Sequence, residues 1–389
     1  MKTVDWLIVV VATFSAIFLG MVFASVAPVL PAVSDYFGGG KEGAFVAQWL
    51  LAMPSIGVIV GGPLSGWFIE RFGARRILVI GLTAFTLAGG AMLVLENIPA
   101  LLASRFIVGL SATGQLTAIV SIVGQRYVGE LRGKMVGLQS SFATGGSVLV
   151  VLSAGALAER YGWRAPSVLY FLAIPILLVS VSIFDADRPA PNFEYKRQVR
   201  SLLPLLPSYL LISTVMMVSF ISTSQVPLLL AGDGISSAST LSKVIGVTTF
   251  AIAVGAFFYG RLRAKFYGSA TLAIALALLG LGLLGLSIAH GVVFVATASA
   301  VLGVGGGILT PFFSHHILDQ APEAIRGRAV GLLFAAQFAG PILNTALVVP
   351  AMAAFGQRET MTVIAVLLFA LTSIIAVRRN YVTADSRGH

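Results

Sequence analysis

The chain has 389 residues, 57% of them hydrophobic and only 10% charged, with a formal net charge of +10. A soluble domain carries about 25% charged residues, so this composition excludes an ordinary water-soluble globule. The chain contains no cysteine, which excludes disulfides and thiolate metal sites.

Twelve apolar segments follow one another along the chain, each long enough to cross a bilayer as a helix. A span needs about 20 mostly apolar residues, because the hydrocarbon layer is about 30 Å thick and a helix rises about 1.5 Å per residue. The first six lie near 6–31, 43–69, 77–95, 100–123, 135–157 and 165–184. The second six lie near 207–230, 240–260, 270–288, 291–315, 329–354 and 361–377. The sequence therefore predicts an all-α membrane protein with twelve transmembrane helices.

The two halves of the chain repeat each other. The segment RGKMVGL at 132–138 returns as RGRAVGL at 326–332, 194 positions later. We therefore predict two six-helix bundles related by a pseudo-two-fold axis, at 1–184 and at 207–389, the second with a short cytoplasmic tail. The polar stretch 185–206 is predicted to be a cytoplasmic linker. Duplicated bundles of this kind are typical of secondary transporters, which bind substrate at the repeat interface.

The basic residues fall mainly in loops on one predicted side of the membrane. With a cytoplasmic N-terminus, 19 lysines and arginines lie in inner loops or tails and four lie in outer loops. Excess Lys and Arg mark the cytoplasmic side. The sequence thus predicts a multi-pass protein of the inner (plasma) membrane with both termini in the cytoplasm. The positive charge is explained by the lipid bilayer and not by nucleic acid.

The loop after the second span carries a recognisable pattern, GPLSGWFIERFGARR at 62–76. It resembles the signature loop of the major facilitator superfamily, in which a glycine precedes an acid, a base, a second glycine and a basic pair. The residues that match this pattern are Gly66, Glu70, Arg71, Gly73 and Arg75. Glu70 replaces the usual Asp, and Ala74 stands at the first position of the basic pair. With twelve spans and duplicated halves, the resemblance covers the whole chain.

The resemblance implies a gating role for Glu70, Arg71, Gly73 and Arg75. Glu70 would pair with Arg71, Arg75 or a base on a neighbouring helix when the inner side is closed, and the pair would break on opening. The alternative interpretation is that these residues are topology charges around a tight turn.

Two further features of this region lead to predictions. Gly62 and Gly66 lie one helical turn apart, so we expect them to let two helices approach closely. The equivalent residues of the second half, GRLRAK at 260–265, contain no acid. Any carboxylate lock is therefore predicted only in the first half.

Arg105 lies inside the fourth span, with Gly109 one turn further on the same face. This arrangement resembles the family's fourth-helix motif, an arginine followed four residues later by glycine and linked in the family to proton transfer. A charge inside a span costs from about 3 kcal/mol upward, which predicts a role in coupling or substrate binding. The alternative is that Arg105 snorkels to the outer surface. Because no Asp or Glu lies deep in a span, a positive cavity would favour anionic, zwitterionic or neutral solutes.

Other polar residues within spans are weaker candidates, since isolated Ser and Thr often bond only their own helix. The candidate substrate-binding residues are Gln115, Gln225, Thr310 and Asn344. The glycine-rich run GVGGG at 303–307 lies within an apolar span, so it indicates close helix packing or a bend and not a nucleotide loop.

The resemblance implies a secondary active transporter that moves a small organic or amphiphilic solute by alternating access. Proton-coupled export is the first prediction, and proton-coupled uptake of an organic anion is the alternative. A non-transporting membrane receptor is an alternative of another class. Without a catalytic or metal-ligand cluster in the sequence, we predict no enzyme activity, no cofactor and no metal. The predicted partners are a small-molecule substrate, protons and the lipid bilayer, and the protein is predicted to be a monomer.

Overall fold

The computed structural model describes residues 3–127, 129–183, 203–266, 268–321 and 326–385, and these contain helices and no strands. The chain divides into two compact units, Met1–Leu203 and Pro204–His389. The all-α prediction is confirmed. Most of the predicted linker, 185–202, lies outside the described residues, so its boundaries remain a prediction.

Seven α-helices build the six spans of the first unit in the part of the chain that the structure describes. They are α1 (Thr3–Ala24), α2 (Leu30–Tyr36), α3 (Gly40–Phe72), α4 (Ala74–Ala91), α5 (Ile98–Arg126), α6 (Gly129–Tyr161) and α7 (Ala173–Ile183). The 3-10 helical turn Ala27–Val29 interrupts the first span between α1 and α2. Pro28 explains the interruption, because proline has no N–H to continue the α-helical ladder. The sixth span likewise begins as a 3-10 helix, Ala165–Leu172, before α7.

The second unit also has seven α-helices. They are α8 (Leu206–Gly232), α9 (Ala238–Lys265), α10 (Gly268–Ile288), α11 (Gly291–Gln320), α12 (Arg326–Leu343), α13 (Val349–Phe355) and α14 (Gln357–Asp385). A π-helical segment, Asn344–Val348, joins α12 to α13 within one span. Prolines at 341 and 350 flank this segment, and each removes a backbone donor from the helical ladder.

Eleven stretches of the described residues are long and apolar enough to cross a membrane, and Ala165–Val181 is a shorter apolar helix. Together they account for the twelve predicted spans. Polar caps set some of their starts. The Asn97 side chain accepts a hydrogen bond from Ala100 N–H (2.7 Å) at the start of α5, and Ser237 accepts one from Thr240 N–H (3.3 Å) at the start of α9. Such caps satisfy backbone donors that have no partner in the first helical turn.

The same close helix contact occurs in both units. In the first unit, a Cβ on Gly109 of α5 would overlap the Pro54 carbonyl oxygen of α3. At the positions 194 residues later, a Cβ on Gly303 of α11 would lie 2.7 Å from the Thr248 carbonyl oxygen of α9. Both glycines are therefore needed for the approach of two backbones. The prediction that the run 303–307 serves close packing is confirmed.

The prediction for Gly62 and Gly66 was wrong. Among the described residues, no heavy atom lies within 4 Å of a Cβ built at either position. Gly57 and Gly61 make the approach instead, because their side of α3 faces α5, where Phe106 and Leu110 present carbonyl oxygens. A one-turn spacing of glycines thus indicated the right helix but not the face that packs.

The core of the first unit contains a row of three aromatic rings in tilted contact. Phe18 of α1 lies 5.3 Å from Phe85 of α4, and Phe85 lies 5.0 Å from Tyr170 of the 3-10 helix, between ring centroids. All three side chains are buried. This row of rings leads to the only fully buried charge among the described residues, Arg105.

Candidate functional site

Arg105 is completely buried inside the first unit, so the snorkelling alternative is wrong. Its Nη2 donates a hydrogen bond to the carbonyl oxygen of Val22 on α1, at 2.8 Å. Its guanidinium carbon lies 5.5 Å from the ring centroid of Tyr170. The side chain thus points from α5 into the bundle, toward the end of α1.

The break in the first span explains why Val22 can accept this bond. In a continuous α-helix the N–H of Val26 would donate to Val22, but here it donates to the carbonyl of Phe23 at 3.1 Å. The released carbonyl of Val22 lies at the C-terminal end of α1, where the helix dipole is negative and stabilises a cation. Arg105 therefore caps α1, which is how the unit holds a buried cation without a carboxylate.

Tyr170 forms the second side of this site. Its hydroxyl lies 2.9 Å from Ser25 Oγ, just beyond the end of α1. Gly89 of α4 leaves room for the ring, because a Cβ there would overlap it. Tyr170 and Ser25 were not predicted as site residues, although Pro28 indicates in the sequence that the first span breaks near Ser25.

Two polar residues of α5 keep unused hydrogen-bonding groups. Among the described residues, Nε and Nη1 of Arg105 have no hydrogen-bond partner, and neither has the side-chain oxygen or nitrogen of Gln115. Both side chains are fully buried. A buried donor without an acceptor costs about 1–3 kcal/mol, more when it is charged. Every Asp and Glu whose burial the structure describes is exposed or only partly buried, so the free donors of Arg105 face no buried carboxylate among them.

Of the three predicted substrate residues of the second unit, Asn344 and Gln225 bond neighbouring helices and Thr310 bonds its own helix. Asn344 Nδ2 donates to the Met217 carbonyl (3.2 Å), and its Oδ1 accepts from Ser224 Oγ (3.0 Å). Gln357 Nε2 donates to Gln225 Oε1 at 3.2 Å. Thr310 is exposed and donates to a carbonyl of its own helix. These contacts join α8 to the π-helical segment and to α14, and a substrate-binding role for the three residues remains a prediction.

Gly109, predicted to share the role of Arg105, has the structural task described above. Its lack of a side chain is required by the Pro54 backbone, whatever the solute. This contact alone explains the glycine, and its predicted part in coupling remains a hypothesis.

In the signature loop, the structure explains Gly73 most directly. Its φ of 86° lies in the region that only glycine adopts freely, and it separates α3 from α4. Its N–H donates to the Ile69 carbonyl at 2.9 Å. The tight-turn interpretation is therefore correct for Gly73.

The charges of the loop do not pair as expected. Arg71 lies over the rings of Trp67 and Phe72, at 5.6 and 5.7 Å. Arg75 Nη2 donates to the Val181 carbonyl at the end of α7, at 2.7 Å. Glu70 is exposed, and within the described part of the chain it makes no hydrogen bond or ion pair. The expected pairing with Arg71 or Arg75 is absent in this structure, and the gating role stays a prediction.

The second unit contains a charged cluster, around Arg358 and Asp233, that was not predicted from the sequence. Arg358 Nη2 lies 3.2 Å from Asp233 Oδ1, and its Nη1 donates to the Ala289 carbonyl at 2.6 Å. Asp233 also accepts from Gly291 N–H and contacts His290. Burial acts to raise the pKa of Asp233, but these hydrogen bonds and the charge of Arg358 outweigh it and hold the pKa below its ordinary value. The cluster joins the ends of α8 and α10 to the starts of α11 and α14.

Known proteins were compared with the whole chain and with its fold. The chain is 28% identical over 142 residues to the putative niacin/nicotinamide transporter NiaP of Bacillus subtilis, covering 36% of each chain. It is 25% identical over 234 residues to the quinolone resistance protein NorB of Staphylococcus aureus, covering 60% of this chain and 46% of that one. The match thus spans less than half the length of either relative. The crystal structure of a D-xylose-proton symporter has the same fold, with a TM-score of 0.71 and 16% sequence identity. The match covers 94% of this chain and 98% of that one.

The family model described as Major Facilitator Superfamily matches residues 12–236 and again residues 209–386. The two successive matches correspond to the two units and to the internal repeat. The twelve apolar helices, the turn at Gly73 and the buried arginine of α5 agree with the resemblance found in the sequence. The chain is a multi-pass membrane protein that belongs to the major facilitator superfamily.

Proposed function

We propose that this protein is a secondary active transporter for a small organic anion, coupled to protons. One observation carries the proposal: Arg105 is fully buried, has two unpartnered nitrogens and faces no buried carboxylate among the described residues. Arginine stays protonated under physiological conditions. A buried positive charge without a counter-charge creates a field that attracts anions and repels cations.

The comparison with known proteins supports the same solute class. NiaP is named for niacin and nicotinamide, and niacin is a small aromatic carboxylate. The structural neighbour is named as a proton symporter, which supports coupling to protons. Since no buried acid is found among the described residues, we infer that the proton travels with the solute or through groups near the helix ends.

A second candidate is export of an amphiphilic solute. The similarity to NorB, a quinolone resistance protein, covers 60% of this chain. The same buried charge would then select anionic, zwitterionic or neutral compounds for export. The direction of flux in oriented membrane vesicles distinguishes the two candidates.

The test uses purified protein in liposomes and three labelled probes: nicotinate, neutral nicotinamide and the cation tetraphenylphosphonium. We expect carrier-dependent flux of nicotinate that increases with an imposed proton gradient, and no flux of the cation. Arg105→Gln should lower nicotinate flux about tenfold or more, since a loss of about 1.4 kcal/mol in binding is a factor of ten. Arg105→Lys should recover part of the flux, because it keeps the charge but loses the planar donors.

The matched control is Arg76→Gln, which removes one positive charge from an exposed side chain. It should transport like the wild type. Flux of the cation in preference to nicotinate would contradict the proposed solute class. Binding of nicotinate without any flux would instead favour the receptor alternative, and a flux that ignores the proton gradient would refute coupling.

A further inference from the structure

The second unit contains a cavity of about 300 Å³ where α9 and α11 end and α10 begins. By the charge rule, these helix ends are predicted to face the cytoplasm. The polar residues that line the cavity are Tyr259, Arg263, Ser269, His315, His316 and Asp319. None of them was assigned to a site above.

The first unit shows what normally fills this space. There, Arg75 at the start of α4 reaches across to the carbonyl of Val181, at 2.7 Å. The residues 194 positions later are Ser269 and Ile375, and both line the cavity. A short serine stands in the second unit where the first unit has the arginine whose side chain crosses the equivalent space.

A second exchange places a positive charge in the lining of the cavity. Ile69 of the first unit is a buried core residue, and Arg263 stands at the equivalent position of the second unit and lines the cavity. The Arg263 guanidinium lies beside the start of α10, where a Cβ built on Gly268 would be 3.8 Å from Nη2. The first N–H groups of a helix have no partner within the helix and carry partial positive charge. Two kinds of donor therefore converge on one place.

Tyr259 adds a third donor. Its hydroxyl is buried beside the guanidinium of Arg263 and lines the cavity, and among the described residues no acceptor for its own proton lies within hydrogen-bonding distance. A buried hydroxyl without a partner is costly, and an acceptor bound in the cavity would satisfy it. The equivalent residue of the first unit, Ser65, bonds its own helix through Gly61 and leaves no such donor.

The acid of the cavity already has a partner. Asp319 Oδ2 lies 2.8 Å from His315 Nδ1, one turn earlier on α11. At the same two positions of the first unit, Gln125 Nε2 donates to Ser121 Oγ at 3.2 Å. In both units the side chains at these two positions contact each other. In the second unit the contact holds the Asp319 carboxylate beside His315.

We propose that this cavity binds a phosphate-type oxyanion, supplied either as free phosphate or as the headgroup of an anionic phospholipid. Arg263, the Tyr259 hydroxyl and the N–H groups at the start of α10 would donate to its oxygens. The surroundings suit a membrane interface, because Arg261 lies over the exposed rings of Phe257 and Phe258, at 5.3 Å each. Basic pockets between helices on the cytoplasmic side of membrane proteins bind phospholipid headgroups.

The experiment measures the thermal unfolding midpoint of the full-length protein in two arms. In detergent, inorganic phosphate is titrated against chloride at constant ionic strength. In nanodiscs, phosphatidylglycerol is titrated into phosphatidylcholine. We expect stabilisation in at least one arm, because a ligand of the folded state raises its stability. Arg263→Gln should weaken the apparent affinity about tenfold, as expected for one charge-assisted hydrogen bond.

The matched control is Arg261→Gln, which removes the same charge two residues away and outside the cavity lining. It should keep the response. Ser269→Arg is the second variant, since it restores the arginine found in the first unit and should fold, fill the cavity and abolish the response. A response to phosphate alone identifies a free anion, and a response to phosphatidylglycerol alone identifies a lipid. No response in either arm, or equal losses in Arg263→Gln and Arg261→Gln, would overturn the proposal.

Discussion

Arg164 and Arg358 stand 194 positions apart, at equivalent places in the two units, yet they have different partners. Arg164 lies over the rings of Tyr36 and Trp163, at 5.2 and 5.0 Å, and Nη2 donates to the Tyr36 hydroxyl. Arg358 instead bonds a carboxylate, Asp233, and backbone carbonyls. The repeat thus preserves the position of a charge, and the neighbours decide its chemistry.

The same lesson holds for the two sites described above. Arg105 caps α1 by donating to the Val22 carbonyl. The equivalent residue of the second unit is Ser299, which is buried and whose hydroxyl has no partner among the described residues. Arg75 crosses a space that is a cavity beside Ser269. The close approach of two helix backbones at Gly109 and at Gly303 occurs in both units. The duplicated units therefore have a common packing scaffold and different charges.

The largest expected effect tests that shared scaffold. Gly109→Ala should destabilise the protein by about 2 kcal/mol, because overpacking against a fixed backbone costs about 1–3 kcal/mol. Gly303→Ala should have the same sign and a smaller size, since its nearest oxygen is 2.7 Å away. Thermal unfolding in detergent measures both.

The control for this pair is Gly62→Ala, a helical glycine without a neighbour within 4 Å among the described residues. It should be neutral or stabilising by about 1 kcal/mol, as alanine favours helix over glycine. Equal destabilisation by all three variants would show that the shared contact is not what these glycines provide.

The next effect separates the two arginine clusters by pH. Because the folded pKa of Asp233 lies below its ordinary value, its cluster stabilises the second unit above the unfolded pKa of about 3.9. That contribution is lost as the pH falls through the folded pKa. Asp233→Asn should therefore destabilise the protein at pH 6, and this difference should shrink as the pH falls below about 3.9.

Arg164→Gln serves as the comparison, because its cluster of rings contains no carboxylate. Its cost should stay constant over the same pH range in unfolding experiments. A pH-dependent cost for Arg164→Gln with a constant one for Asp233→Asn would reverse our assignment.

A smaller effect concerns the site around Arg105. Tyr170→Phe removes the hydroxyl that contacts Ser25 but keeps the ring beside the guanidinium, so we expect a loss of about 1 kcal/mol. The equivalent change has no counterpart in the second unit, where position 364 is Ile. Unchanged stability would show that the hydroxyl does not help to hold the break in the first span.

The smallest expected effect on stability is that of Glu70→Gln. Because Glu70 has no partner among the described residues, this change should alter the unfolding free energy of the protein by less than about 0.5 kcal/mol. If the gating prediction is correct, turnover should fall and the protein should open more often inward. Labelling of single introduced cysteines reports this opening, since the chain has none of its own. Unchanged labelling and flux would leave Glu70 as a topology residue.

Much of the fold followed from local patterns. Apolar length gave the spans, the glycine-rich run gave close packing, and the cost of a charge in lipid singled out Arg105. The wrong prediction concerns which face of a helix packs. Gly62 and Gly66 lie on the helix that makes the close contact, but no neighbour lies within 4 Å of them among the described residues. The break of the first span at Pro28, with its freed carbonyl, was not recognised because it depends on how the ladder ends and not on hydrophobicity.

The sequence by itself determined that this chain is a duplicated, helical membrane protein, because hydrophobicity and repeat period are local or additive properties, and its signature loop carried the resemblance to one family. Only the tertiary structure decided the partner of each charge. Arg105 meets Val22 across 83 positions of sequence, and Ser25 meets Tyr170 across 145. Such pairs depend on which helix faces pack and which carbonyls a broken helix releases. For the same reason, equivalent positions of the two units hold a bound arginine in one and an open cavity in the other.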